Sequence, residues 1–287
     1  MNAAATADQR GPWATELVEV VRAASGGLLF GIPLLYTMEV WWSGTEARPE
    51  RLIGVLAVTF VPVFLLNHTG GFRSTKDTRV SETLMDTIIA VALGLVLGCA
   101  VLILLREITP DTPSRVALGK VIYEAMPFCI GIGVANHFLR GGRDEGDDGS
   151  RGGDRTGLNA TLIDVAATLI GSLFLALNIA PTDEVPMLAS AMSPQWLLLV
   201  VAASLLISYS IVFVAGFARE DQRRTQAGIL QHPVTETVVS YLLALGSAAL
   251  MLWFFHRFSA PWHFSVSQIV VLGLPAAVGG AAGRLAT

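Results

Sequence analysis

Eight stretches of this chain are apolar over the thickness of a lipid bilayer, and that leaves few ways to fold. Inside hydrocarbon every backbone N–H and C=O needs an internal partner, so a chain crosses only as helices or as a closed barrel. The stretches are continuous and lack the alternation of a barrel strand. A crossing helix needs about 20 mostly apolar residues. The runs fall at Glu16–Trp42, Arg51–Gly71, Ser81–Leu105, Val116–Leu139, Leu158–Ile179, Pro194–Phe217, Val234–Phe255 and Trp262–Leu285. The expected fold is all-α: a polytopic transmembrane bundle of about eight helices. It forms one domain over residues 16–287, behind a polar tail over 1–15. Charged residues make up only 15% of the chain, against about 25% in soluble domains. Met1–Arg10 lacks the basic segment and compact apolar stretch of a cleaved signal peptide, so the first run reads as a retained anchor.

Loop charges orient the bundle. Arg73, Lys76 and Arg79 lie in the second loop, Arg140, Arg143, Arg151 and Arg155 in the fourth, and Arg219, Arg223 and Arg224 in the sixth. The fifth loop holds Asp183 and Glu184 without a base. The positive-inside rule then puts the even loops and both termini in the cytoplasm. Trp41, Trp42, Trp196, Trp253 and Trp262 fall at the outer helix ends, as an interfacial belt requires. The loop over 141–157, rich in Gly, Asp and Arg, reads as a flexible cytoplasmic linker. No basic stripe with interleaved aromatics points to nucleic acid, and Cys99 and Cys129 lie in apolar runs as small core residues.

A phrase occurs twice. Asn67-His68 closes one apolar run and Thr83-Leu84-Met85-Asp86 opens the next; Asn136-His137 and Thr161-Leu162-Ile163-Asp164 do the same. This predicts a repeated two-helix hairpin. Thr235-Glu236-Thr237 would mark a worn third copy. An ionisable group in hydrocarbon faces a partner or a wet cavity. Side-by-side hairpins would bring Asp86, Asp164, His68 and His137 to one depth as a proton relay or cation site, with Asn67 and Asn136 orienting them. Helix-end roles are the alternative: an acid near a helix N-terminus is favoured by the macrodipole. Glu124 lies deeper, three residues before Pro127, where a proline frees a backbone carbonyl. Glu39 sits at the outer end of the first run, as a gate or an interfacial carboxylate. Gly27/Gly31, Gly94/Gly98 and Gly279/Gly283 are spaced for close helix packing.

The His-Glu-x-x-His, Gly-x-Ser-x-Gly, Walker and Cys-x-x-Cys patterns are all absent. No cofactor is implied.

The segments Tyr36-Thr37-Met38-Glu39-Val40-Trp41-Trp42 and Asn178-Ile179-Ala180-Pro181-Thr182-Asp183-Glu184 resemble those of an uncharacterised bacterial family of integral membrane proteins, grouped as a domain of unknown function. The likeness covers nearly the whole chain except the N-terminal tail and the fourth loop. It implies a multi-pass protein of the bacterial cytoplasmic membrane. It carries no catalytic residues over, but it draws attention to Glu39.

The leading expectation is a transport protein, a small-ion or proton-linked channel or carrier with its polar site between the repeated hairpins. A membrane-embedded enzyme or metal site built on His68, His137, Asp86 and Asp164 is the second reading. A structural or assembly subunit is the third. The lipid bilayer is the expected partner, with a small cation or proton as the species handled.

Overall fold

The structure is a computed structural model that describes residues 12–69, 80–141, 157–215, 232–258 and 261–285. Its ten α-helices, all of them among the described residues, are α1 (Pro12–Leu35), α2 (Met38–Thr45), α3 (Pro49–Thr69), α4 (Val80–Leu104), α5 (Ser114–Gly141), α6 (Gly157–Ile179), α7 (Glu184–Ser190), α8 (Pro194–Tyr209), α9 (Pro233–Phe254) and α10 (Trp262–Leu285). A π-helical turn, Ser210–Val214, continues α8. Seven helices are each long and apolar enough to cross a membrane, and α6 with α7, bent by 88° at their junction, makes an eighth span. The fold is all-helical and polytopic, as the apolar runs require.

Two breaks depart from the sequence expectation. The run Glu16–Trp42 is not one helix. It stops at Leu35, and α2 begins at Met38 after an extended Thr37. The stretch after Asn178 is likewise no simple loop, because it contains α7. Glu184 ties these two short helices together, its Oε1 accepting from the Met38 N–H at 3.4 Å at the open N-terminus of α2. Trp41 is buried rather than part of an exposed belt, its indole N–H donating to the Leu35 carbonyl at 3.2 Å. Trp42, Trp253 and Trp262 are exposed, as interfacial aromatics are.

The helices fall into two groups. In the first, α1, α2, α3 and α4 all pack around α5; in the second, α6, α7, α8 and α9 all pack around α10. The closest pairings are α1 with α5 and α6 with α10. Glycine makes both crossings possible. A Cβ on Gly26 or Gly131 would run into the backbone of the other, and Gly171 and Gly279 stand in the same reciprocal relation. Gly31 similarly receives the ring of Phe128, and Gly94 the thiol of Cys129. In lipid, where apolar burial drives little association, backbone approach of this kind holds helices together.

α6 does not return along α5 as a hairpin partner. Its packing partners are α9 and α10, so the α3/α4 and α5/α6 pairs do not lie side by side. The loop over 142–156 lies outside the described residues.

The two groups meet along α1, which touches α10 and the π turn. Two long-range hydrogen bonds pin this seam. Arg22 Nε donates to the Ala215 carbonyl at 2.5 Å, where the α8 chain ends. Tyr36 donates its hydroxyl to the Val271 carbonyl, also at 2.5 Å. That carbonyl is free because Pro275, four residues on, has no N–H to give it.

Candidate functional site

α5 carries two polar side chains into the first group of helices, and the next position on their face is apolar. Lys120, Glu124 and Phe128 recur at four-residue spacing and so share one face. Glu124 is ten residues into α5, or about 15 Å along its axis, near the middle of a hydrocarbon core about 30 Å thick. It is fully buried, and neither carboxylate oxygen has a hydrogen-bond partner among the described residues. Pro127 follows one turn later and leaves the Tyr123 carbonyl without its helical donor.

One turn toward the start of α5, Lys120 is occupied. Its Nζ donates to Glu107 Oε2 at 2.8 Å and to the Glu107 carbonyl at 2.9 Å, and lies 4.6 Å from the Trp41 ring centre. Glu107 is placed by a tight helix end: Arg106 has φ 65°, and the Glu107 N–H returns to the Leu102 carbonyl at 2.9 Å. Sequence inspection passed over this pair, because neither residue is near the other along the chain.

Toward the other end of α5 a cleft of about 610 Å³ opens between α1, α4 and α5. Its polar lining is Glu16, Glu19, Arg22, Asp86 and Asn136. Among the described residues three carboxylates and one guanidinium line it. Asp86 is half-buried there, on the second turn of α4. The α1 contribution was not anticipated, since α1 read as a plain anchor. Acids three residues apart, Glu16 and Glu19, followed by Arg22, were the available signal.

The other expected site residues are scattered. Asn67 is buried and donates to Thr87 Oγ1 at 3.3 Å, which ties α3 to α4. His68 is exposed and stacked on Phe64, with ring centres 5.8 Å apart. Asp164 is half-buried on α6, in the second group. Glu39 is exposed in the first turn of α2. The side chain of His137 lies outside the described residues. The structure therefore brings Asp86 and Asn136 to one cleft, sets Glu124 deeper on the helix that carries Asn136, and places Asp164 in the other group of helices. No three His, Cys, Asp or Glu side chains converge as metal ligands among the described residues.

A bundle of bilayer-length helices with an acid buried at mid-depth and a polar cleft at one end is a polytopic integral membrane protein. Over residues 19–287 the chain matches the family described as "Putative integral membrane protein (DUF2391)", and it belongs to that family. No curated protein and no solved structure matches it.

Proposed function

We propose that this protein transports a small cation or proton, along a path through the first group of helices. The observation that carries the reading is Glu124: a carboxyl group at mid-membrane with no hydrogen-bond partner for either oxygen among the described residues. An intramembrane acid of this kind is a functional residue by default, because packing alone gives no return for its desolvation. The cleft lined by Asp86, Glu19 and Asn136 is the vestibule at one end. The Lys120–Glu107 pair and the exposed Glu39 lie toward the other. The Arg-rich loops support a vestibule on the cytoplasmic side of a bacterial cytoplasmic membrane, with both termini inside. Asp164 and His68 lie off this path.

The repeat in this reading is larger than a hairpin. Each group runs long helix, short helix, then three long helices, in one direction and around its last member. Setting Pro127 of α5 on Pro275 of α10 also sets Gly131 on Gly279, the two glycines of the close crossings. Setting Ser81-Glu82-Thr83 of α4 on Thr235-Glu236-Thr237 of α9 aligns buried Thr83, Thr87 and Ala90 with buried Thr237, Tyr241 and Ala244. We take the groups as parallel copies of one unit, a common transporter plan.

The test is ion flux into proteoliposomes, screened over protons and monovalent and divalent cations. Wild type carries at least one of them; Asp86→Asn slows that flux, and Asp164→Asn leaves it unchanged. A well-folded wild type that passes no ion refutes the reading.

A further inference from the structure

We infer that the species handled at Glu124 is a proton, held as the O–H of a neutral carboxylic acid. The inference rests on the transport reading above and narrows it.

The surroundings of Glu124 do not suit a metal or alkali cation. Hard cations take several oxygen ligands each. The facing stretches Gly27–Leu35 of α1, Val55–Val63 of α3 and Leu93–Leu104 of α4 contain no Asp, Glu, Asn, Gln, Lys, Arg or His. Their one hydroxyl, Thr59, is already committed to the Val55 carbonyl at 2.8 Å. Cys99 is their one titratable side chain. On α2 the ionisable residue is Glu39, which is exposed. On α5 and the turn before it the neighbours are Lys120 and Glu107, and they engage each other. Among the described residues an ionised carboxylate here would have neither a free counter-charge nor a donor. Such a group in a low-dielectric interior sheds its charge by binding a proton.

Nor does position 124 need an acid for packing. In the proposed alignment on Pro127 and Pro275, Leu272 stands in the place of Glu124, and it is fully buried. The same frame therefore accepts an apolar side chain at this point.

α5 sets an apolar layer on one side of Glu124 and an ion pair on the other. On the vestibule side, Phe128, Cys129 and Ile132 form an apolar layer between Glu124 and the cleft, and all three are fully buried or nearly so. On the other side Lys120 stands one helical turn from Glu124, about 6 Å along α5, and its Nζ holds Glu107 at 2.8 Å. A hydronium ion carried from the cleft on water that crosses the apolar layer breaks one of its O–H bonds, forms the O–H bond on a Glu124 carboxylate oxygen and is left as water. That bond breaks when the proton passes to Glu107 or to water beyond it, which restores Glu124. One proton crosses per cycle and no electron moves.

The experiment uses the full chain in proteoliposomes with a trapped pH-sensitive dye and an imposed potential, together with infrared spectra of the same samples. Wild type is expected to carry protons and to show, at neutral pH, the high-frequency carbonyl band of a protonated carboxyl group without a hydrogen-bond partner. Glu124→Gln and Glu124→Leu are expected to lose both, with normal folding by circular dichroism, while Glu124→Asp keeps part of the flux. A wild type with cation flux but no such band overturns the proton inference and leaves the transport reading standing. Proton flux undiminished in folded Glu124→Leu overturns it as well. A wild type that moves no ion at all overturns both.

Discussion

Replacing Tyr36 by Phe tests the seam between the two helix groups through a single oxygen atom. The hydroxyl is almost completely buried and lies 2.5 Å from the Val271 carbonyl. In an uninterrupted helix that carbonyl would accept from residue 275, but residue 275 is proline. Tyr36→Phe keeps the ring and its packing and leaves the carbonyl without a donor. A buried polar group left unsatisfied costs about 1–3 kcal/mol. Interhelical hydrogen bonds within membranes average about 0.6 kcal/mol and reach about 1.7. Because this carbonyl has no alternative donor on its own helix, a loss near the upper end, about 1.5 kcal/mol, is expected. That is roughly a tenfold drop in the folded-to-unfolded ratio.

The decisive measurement is a double-mutant cycle with Pro275→Ala. Alanine restores an N–H at this position, which can close the helical bond to Val271. The cost of Tyr36→Phe should then shrink to a few tenths of a kcal/mol. Reversible unfolding in mixed micelles, followed by helical circular dichroism, reads both numbers. Equal costs with and without the Pro275→Ala change would refute the account, since the hydroxyl would then owe its role to something other than the missing proline donor.

Other expectations follow from the same geometry. Gly131→Ala and Gly279→Ala each place a methyl against facing backbone, so each should cost about 1–3 kcal/mol. Gly54→Ala and Gly246→Ala, whose new Cβ would meet nothing within 4 Å, should be neutral or slightly stabilising; thermal melts in detergent separate the two classes. Arg284 is buried, pairs with Glu236 and donates to Ser240 at 3.2 Å. Glu236→Gln should therefore cost about 3–5 kcal/mol by stranding a charge, and more than the double change Arg284→Met with Glu236→Leu. A double variant less stable than the single one would count against that view.

Much of the bundle was legible because membrane crossing leaves so strong a mark. The last span runs from Trp262 to Leu285 in both the sequence reading and the structure, and most other span edges differ by a few residues, the end of the first run excepted. The short helices were harder to see. The run to Trp42 is longer than a bilayer needs, yet nothing local marks Tyr36 and Thr37 as the break, and α7 is only seven residues long. Pairing between distant helices was not legible at all. The Asn-His phrase pointed to neighbouring hairpins, whereas the partner of α6 is α10, more than 80 residues away and reached through glycines whose contacts no local pattern specifies. Thr235-Glu236-Thr237, read as a worn copy, sits on the helix whose packing matches that of α4. Glu124 was visible as an acid beside a proline in an apolar run; its lack of a partner among the described residues was not, because that depends on what α1 and α4 do not carry.

The contrast between the two groups bears on function more directly than either does alone. In the matched frame Ser240 stands where Asp86 does, Arg284 where Asn136 does, and Glu236 where Glu82 does. In the second group these positions close up, with Arg284 held by Glu236 and Ser240 and covered by Phe213 at 5.5 Å. In the first, Asp86 and Asn136 line an open cleft. At mid-depth the second group has Leu272 and the first has Glu124. A polar core that served only to lock helices has no need to differ in this way between two groups of the same helix order. The polarity differs where the helix order agrees. Among the described residues one group has an ion pair at this end and an apolar side chain at mid-depth, and the other has a polar cleft and a buried acid on its central helix. Exchanging the two states, with Glu124→Leu in one group and Leu272→Glu in the other, should abolish flux without creating it elsewhere, since the described residues at the matching end of the second group are the buried Arg284 and its partner Glu236 in place of the cleft residues.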